Sequence, residues 1–122
     1  MDLEQHLLRH MAFSHATFGP GVRTAGVCDH IRKELHEVQE AAGDAAEWVD
    51  VVILALDGLT RQLAYCERTS PGGGRGVPSH VAAIACNMID KKQSQNEART
   101  WPDWRTADLG KAIEHDPLGS RK

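Results

Sequence analysis

The chain has 122 residues, a length that predicts one domain with a small core. Its 17 acidic residues exceed its 14 lysines and arginines, and a net charge of −3 gives no reason to expect binding to a long nucleic acid. Three widely spaced cysteines argue against a disulfide framework. No apolar run suits a signal peptide or a membrane span, so we expect a soluble, cytoplasmic protein.

The predicted elements are helices. Residues 2–13 can form a short opening helix, which a glycine-rich loop follows. From Val27 to Ala42 the apolar residues recur every three or four positions, the period of an amphipathic helix. Gly43 suits a C-terminal cap and Asp44 an N-cap, so a second helix is predicted from about Ala45 to Cys66. The short turn makes these two helices an antiparallel hairpin.

A third long helix is predicted from Ser79, as its N-cap, to about Arg99. The tail is irregular around Pro102, and a last short helix is predicted from Asp108 to His115. No segment favours a strand. The sequence therefore predicts an all-α helical bundle, built on the hairpin plus the third helix, in a single domain over residues 1–122.

Acidic residues lie where the hairpin should be buried. Glu34 and Glu37 border the apolar face of the first hairpin helix. The second helix is apolar on nearly every side except one narrow polar stripe, formed by Glu47, Asp50, Asp57 and Arg61. Across a short turn, the pair Glu34 and Glu37 can approach the pair Glu47 and Asp50. Converging carboxylates repel one another, and hard cations such as Mg²⁺ or Mn²⁺ relieve that repulsion.

Two simpler explanations stay open for these acids. Glu34 and Glu37 could form a solvated face together with Glu40, the commoner arrangement for acids on one helix. Alternatively, Glu47 or Asp50 could pair with buried arginines, since buried charges are usually paired or bound to metal.

A basic stripe is predicted near the end of the third helix. Lys92, Asn96 and Arg99 are spaced i, i+4 and i+7 and continue the line of that helix's core residues, whereas Lys91 lies on another, solvated face. An inward cationic stripe favours an anion pocket, with Arg99 able to bind a phosphate in a bidentate way. The competing explanation is that the helix leaves the core near Asp90 and its end is only solvated.

The chain resembles the all-α nucleoside triphosphate pyrophosphohydrolases of the MazG-like superfamily. The resemblance rests on the acidic pairs and on the segments "TFGPGVRTAGVCDHIRKELHEV", "EWVDVVILALDG", "KKQSQNEARTWPDWR" and "KAIEHD", which together cover most of residues 17–116. They are similar to the small branch of dATP/dGTP pyrophosphohydrolases, near which phage enzymes of the MazZ type also fall. The linker between the acidic pairs is shorter here than in many members.

The resemblance implies hydrolysis between the α and β phosphates, which releases a nucleoside monophosphate and pyrophosphate. It implies Mg²⁺ as cofactor, with Mn²⁺ as a substitute, and Asp57 as a further acid of the site. Either the metal alone activates the attacking water, or a glutamate such as Glu37 accepts its proton. The implied catalytic and metal-binding residues are Glu34, Glu37, Glu47 and Asp50, and those implied for the triphosphate are Lys92, Asn96 and Arg99.

Aromatic residues are candidates for binding the nucleobase, by stacking or edge contacts: Phe18, His30, Trp101 and Trp104. Trp48 is instead expected in core packing or in a subunit contact. An almost wholly apolar helix in so short a chain predicts a homo-oligomer, and the resemblance implies a dimer or tetramer.

Three functions therefore remain open. The leading one is a Mg²⁺-dependent pyrophosphohydrolase of dGTP or GTP, in the host cytoplasm and supplying 2-aminoadenine nucleotide synthesis if the chain is phage-encoded. The second is a broader dATP/dGTP enzyme that cleanses the nucleotide pool. The third is a non-catalytic helical assembly module.

Overall fold

A computed structural model describes residues 1–117, and every regular element within that range is helical. This confirms the predicted all-α class and the helical bundle. No helix in the described range is long and apolar enough to cross a membrane. The elements are α1 (Leu3–Phe18), α2 (Thr24–Glu40), α3 (Ala45–Thr69), α4 (Pro78–Ala98) and a 3₁₀ helix (Trp104–Thr106).

Helix α1 extends five residues past its predicted end at residue 13. Asp2 caps its start by accepting a hydrogen bond from the Gln5 amide at 3.2 Å. The helix continues past residue 13 because Ser14, although polar, is buried and hydrogen-bonded inside the protein. It ends at Gly19, whose φ of +89° is readily adopted only by glycine.

The hairpin forms as predicted, with α2 and α3 packed against each other across the turn 41–44. The Asp44 carboxylate caps α3 by accepting a hydrogen bond from the Ala46 amide at 3.0 Å. The Ala41 amide closes α2 by donating to the Glu37 carbonyl at 2.9 Å. Gly43 therefore lies beyond the helix cap and provides the turn itself, with φ at +96°.

Two details of the C-terminal third were predicted wrongly. Helix α4 begins at Pro78, so Ser79 lies inside its first turn and is not the N-cap. The helix predicted from Asp108 to His115 does not form. There the Asp108 side chain accepts a hydrogen bond from the Gly110 amide at 2.9 Å, a local turn that competes with helix formation, and Gly110 itself disfavours a helix.

The described residues fall into two compact units, the first of which ends at Cys86. Its core joins α1, α3 and the first half of α4 through Leu7, Met11, Ala64, Val81, Ala82 and Ala85. The second unit begins at Asn87. Within it, the Trp101 indole donates a hydrogen bond to the Asn96 carbonyl at 2.7 Å, and the Trp101 ring meets the His115 ring edge-on. That residues 1–122 form a single domain stays a prediction.

The apolar composition of helix α3 predicted burial on nearly every side, but one apolar face of the helix is exposed. Trp48, Val49 and Val52 are 58%, 52% and 55% exposed. At about 100° per residue these three side chains share one face, roughly opposite the side that carries Glu47 and Asp50. Trp48 therefore does not pack in the core of this chain, and an apolar surface is left on the outer side of the hairpin.

Candidate metal centre and adjoining cavity

Three glutamates meet across the hairpin. Glu34 and Glu37 lie one turn apart on α2, Glu47 lies in the first turn of α3, and each offers a carboxylate oxygen within 4.8 Å of the other two. Asp50, one turn further along α3, is exposed and outside this group, although its charge acts on both Glu34 and Glu47. The structure thus brings three of the four predicted metal ligands together, with the fourth close by.

The carboxylates of this cluster are poorly compensated. Glu34 is only 8% exposed, and one buried oxygen each of Glu34 and Glu47 lacks a hydrogen-bond partner among the described residues. Burial raises the pKa of the Glu34 carboxyl above its ordinary value, and the adjacent Glu37 and Asp50 raise it further. Burial also raises the pKa of Glu47, again with help from Glu37 and Asp50. The cluster therefore stores electrostatic repulsion that a cation would relieve.

The donor set fits a hard divalent cation. It consists of carboxylate oxygens, which Mg²⁺ and Mn²⁺ prefer, and its orphaned buried oxygens are available for coordination. His30 Nε2 lies 3.3 Å from Glu34 Oε1 and so contacts one oxygen of the cluster. Glu34, Glu37 and Glu47 are the residues that would hold the ion.

The simpler explanations of the acids are less consistent with this geometry. Glu40 is solvated as expected, with a side chain 71% exposed beside His36, but Glu34 on the same helix is buried. Within residues 1–117, neither Glu47 nor Asp50 forms an ion pair with an arginine. The buried arginine of α3, Arg61, pairs with Asp57 instead.

Asp57 belongs to a buried network that ties three parts of the chain together. Its Oδ1 accepts hydrogen bonds from Ser14 Oγ at 2.7 Å and from Arg61 Nε at 3.0 Å. Arg61 Nη1 donates to the Gly19 and Gly21 carbonyls, both at 2.8 Å. The guanidinium, 2% exposed, thereby joins α3 to α1 and to the loop before α2. No local sequence pattern marks Ser14 as a member of this network, because its partner Asp57 lies 43 residues away in the chain.

A cavity of about 340 Å³ lies between α1, α2 and α3, next to the glutamate cluster. Its lining includes three predicted substrate-binding residues, Phe18, His30 and Asp57, together with Glu34 and Asp50. Residues from α1 and α3 that were not predicted to bind substrate complete it. The full lining is His10, Phe13, Ser14, Phe18, His30, Glu34, Asp50, Ile53, Leu54 and Asp57.

His10 is the most unusual of the additional lining residues. Its Nε2 is buried without a hydrogen-bond partner in the described range and lies 3.6 Å from Asp57 Oδ1. Burial lowers the pKa of His10 below 6.5, and the Asp57 charge opposes that effect. The imidazole is therefore neutral near pH 7 and free to bond a ligand.

The predicted triphosphate-binding residues belong to the second unit. Lys92 is exposed, while Arg99 and Asn96 are half-buried and joined by a hydrogen bond of 2.8 Å from Arg99 Nη1 to Asn96 Oδ1. Trp104 is exposed, with the Arg105 guanidinium 5.0 Å from its ring centre. The roles of Lys92, Asn96 and Arg99 at the triphosphate, and of Trp101 and Trp104 at the base, stay predictions.

Comparison with protein families agrees with the helices and acids described above. The family model described as dATP/dGTP pyrophosphohydrolase matches residues 7–67, half of the chain. The protein belongs to the dATP/dGTP pyrophosphohydrolase family. The matched segment runs from α1 almost to the end of α3 and contains the glutamate cluster, Asp50 and the cavity. No curated protein and no solved structure matches the chain.

Proposed function

We propose that this protein is a Mg²⁺-dependent pyrophosphohydrolase that converts a purine nucleoside triphosphate, preferably dGTP or GTP, to the monophosphate and pyrophosphate. The observation that carries the proposal is the cluster of Glu34, Glu37 and Glu47, which lies inside the family-matched segment and holds buried, unpaired oxygens. Buried oxygens without partners are uncommon in folded proteins, and a bound cation would account for them here.

The chemistry divides between the ion and the chain. A bound divalent cation supplies charge neutralisation at the phosphates and lowers the pKa of the attacking water. Glu34, Glu37 and Glu47 would hold that ion between α2 and α3, and Asp50 would add a fourth carboxylate from the lining of the cavity. Glu37 is the candidate base for the water proton, and Lys92 and Arg99 are the cations we assign to the triphosphate.

Two roles fit this activity. Preference for dGTP or GTP favours the supply of a monophosphate to phage 2-aminoadenine nucleotide synthesis, whereas equal use of dATP and dGTP favours cleansing of the nucleotide pool. The name of the matched family covers both purines.

The test is a nucleotide panel read by phosphorus NMR, with Mg²⁺, with Mn²⁺ and with chelator. We expect pyrophosphate as product and no turnover in chelator. Glu37→Gln and Asp50→Asn should fold normally and lose roughly 100-fold or more in kcat. Glu40→Gln is the matched control, because Glu40 is an exposed acid on the same helix. Release of orthophosphate, or full activity in Glu37→Gln, would refute the proposal.

The exposed apolar face of α3 supports a second proposal, that the protein assembles as a homodimer or homotetramer. Trp48, Val49 and Val52 form a contiguous apolar surface, and such surfaces usually mark interfaces. A second copy of the chain offers an identical face, as a two-fold interface requires. If assembly were the whole function, the protein would oligomerise without hydrolysing any nucleotide.

A further inference from the structure

We propose that Asp57 selects the base of the substrate, by accepting hydrogen bonds from the Watson–Crick edge of guanine inside the cavity between α1, α2 and α3. This inference rests on the proposed function, because it assigns the nucleoside of the same substrate to that cavity.

The dimensions of the cavity suit a nucleoside. Asp50 and Asp57 both line it, and seven residues at 1.5 Å each separate them by about 10 Å along α3. That separation is comparable to the reach of a nucleoside from its phosphate to the far edge of its base. A volume of about 340 Å³ also lies within the range of small-molecule pockets, roughly 300–1,000 Å³. A nucleotide whose phosphates lie at the glutamates can thus extend its base towards Asp57.

The walls of the cavity suit a planar ring. Phe13 and Phe18 both line it, although they are 61% and 48% exposed, and their rings meet edge-on with centres 6.4 Å apart. Ile53 and Leu54 add aliphatic surface from α3. Exposed aromatic rings beside a cavity provide faces on which a nucleobase can stack, and stacking tolerates any base. The walls therefore bind a base without choosing among bases.

Selecting one nucleobase over another requires polar groups in fixed positions, and hydrogen bonds hold the Asp57 carboxylate in one position. Ser14 and Arg61 donate to its Oδ1, and Arg61 is itself held by the Gly19 and Gly21 carbonyls. An ionised carboxylate offers about four acceptor sites, so these two bonds leave acceptor capacity for a ligand. His10, with its unpartnered Nε2, provides a second polar group beside it.

A carboxylate distinguishes the purines by their donors. Guanine presents two adjacent donors, N1–H and the 2-amino group, and Asp57 Oδ2, to which no described residue donates, offers two lone pairs to accept from them. Hypoxanthine keeps only N1–H, and adenine turns an acceptor nitrogen towards the same position. A site built to bond donors rejects an analogue that lacks them, because its polar groups are then left unpaired.

The experiment compares kcat/KM of the full-length enzyme for dGTP, 7-deaza-dGTP, dITP and dATP, with Mg²⁺. The 7-deaza analogue keeps the Watson–Crick edge of guanine, so it should react within about threefold of dGTP. Losing one bond to a charged acceptor should lower kcat/KM for dITP roughly 10- to 100-fold, and dATP should be at least as poor.

Asp57→Asn provides the second arm, since an amide cannot accept both donors. We expect its ratio of kcat/KM for dGTP over dITP to fall close to one, while Asp29→Asn, at an exposed acid on α2, keeps the wild-type ratio. If Asp57→Asn does not fold, the analogue series on the unmodified enzyme still decides. Equal kcat/KM for all four nucleotides, or a preference for dATP, would overturn the role of Asp57. Absence of pyrophosphate from every nucleotide would overturn the proposed function instead.

Discussion

Asp57 and Arg61 lie one helical turn apart on α3 and form a buried ion pair, with 3.0 Å between Asp57 Oδ1 and Arg61 Nε. The two residues are 4% and 2% exposed. Because Arg61 also bonds two loop carbonyls, the pair stabilises the packing of α1 on the hairpin. It also fixes the orientation of one wall of the cavity.

Arg61→Met should destabilise the protein strongly. Removing one member of a buried pair leaves the other charge unpaired, so we expect the free energy of unfolding to fall by about 3–5 kcal/mol, measured by urea denaturation. Arg61→Lys keeps the charge but loses the planar fork that reaches the Gly19 and Gly21 carbonyls, and it should give an intermediate loss. A change below about 0.5 kcal/mol in Arg61→Met would contradict the structural role assigned to the pair.

The glutamate cluster should make the metal-free protein sensitive to pH. The pKa values of Glu34 and Glu47 are raised in the folded state, so their contribution to stability is greatest at acidic pH and is lost as pH rises through the raised values. In chelator, Glu47→Gln should therefore have a higher Tm than the wild type near pH 8. The difference should vanish near pH 4.5, the ordinary pKa of a glutamate side chain.

With Mg²⁺ in place of chelator, the wild type should have a higher Tm than Glu47→Gln, because bound Mg²⁺ raises the Tm of the wild type and not that of Glu47→Gln. His10 and His15, whose pKa values burial lowers, shift stability in the opposite direction with pH, but equally in both proteins. Differential scanning fluorimetry at several pH values provides the comparison. A Glu47→Gln protein that is less stable than the wild type in chelator at pH 8 would show that the cluster is not repulsive.

Two adjacent lysines on α4 provide a matched test of the triphosphate site. Lys92 shares a helical face with Asn96 and Arg99, whereas Lys91 points elsewhere, and both are exposed. Lys92→Ala should raise KM for the nucleotide roughly tenfold, the effect of losing one charge-assisted hydrogen bond. Lys91→Ala should change it less than twofold. Steady-state kinetics provides the comparison. Equal changes in KM for the two substitutions would mean that only the overall positive charge of α4 affects nucleotide binding, and would contradict the role of Lys92.

Assembly should depend on the apolar face of α3. We expect light scattering at micromolar concentration to show a dimer or tetramer for the wild type. The Trp48→Asp variant should form a smaller assembly, with a lower molar mass in solution. Tyr65→Asp is the control, since Tyr65 is also exposed on α3 but lies on the opposite side of the helix. A monomeric wild type would refute the proposed interface.

The hairpin and its glutamates were accessible from the sequence because their signals are local. Apolar residues every three or four positions define α2 and α3, and Gly43 with Asp44 marks the turn between them. Once the helices are antiparallel, helical geometry alone brings Glu34 and Glu37 towards Glu47. That prediction required no knowledge of distant contacts.

The cavity was only partly accessible, because much of it depends on contacts between residues far apart in the chain. Phe18, His30 and Asp57 were identified, but His10 and Ser14 were not. Ser14 is polar and lies beyond the predicted end of α1, and only its hydrogen bonds to Asp57 and Arg61, both distant in the chain, explain its burial. The exposed side of α3 was missed for a related reason, since composition shows that a face is apolar but not which neighbour covers it.

The four-residue turn 41–44 also determines which changes in chain length the protein can accept. If a residue inserted there extended α2 while the turn kept its conformation, α3 would move around α2 by about 100°, and a deletion that shortened α2 would move it as far the other way. Either change would carry Glu47 away from Glu34 and Glu37, although every acid would still be present. The length of α2 beyond Glu37 is therefore as important for the candidate metal centre as the glutamates themselves.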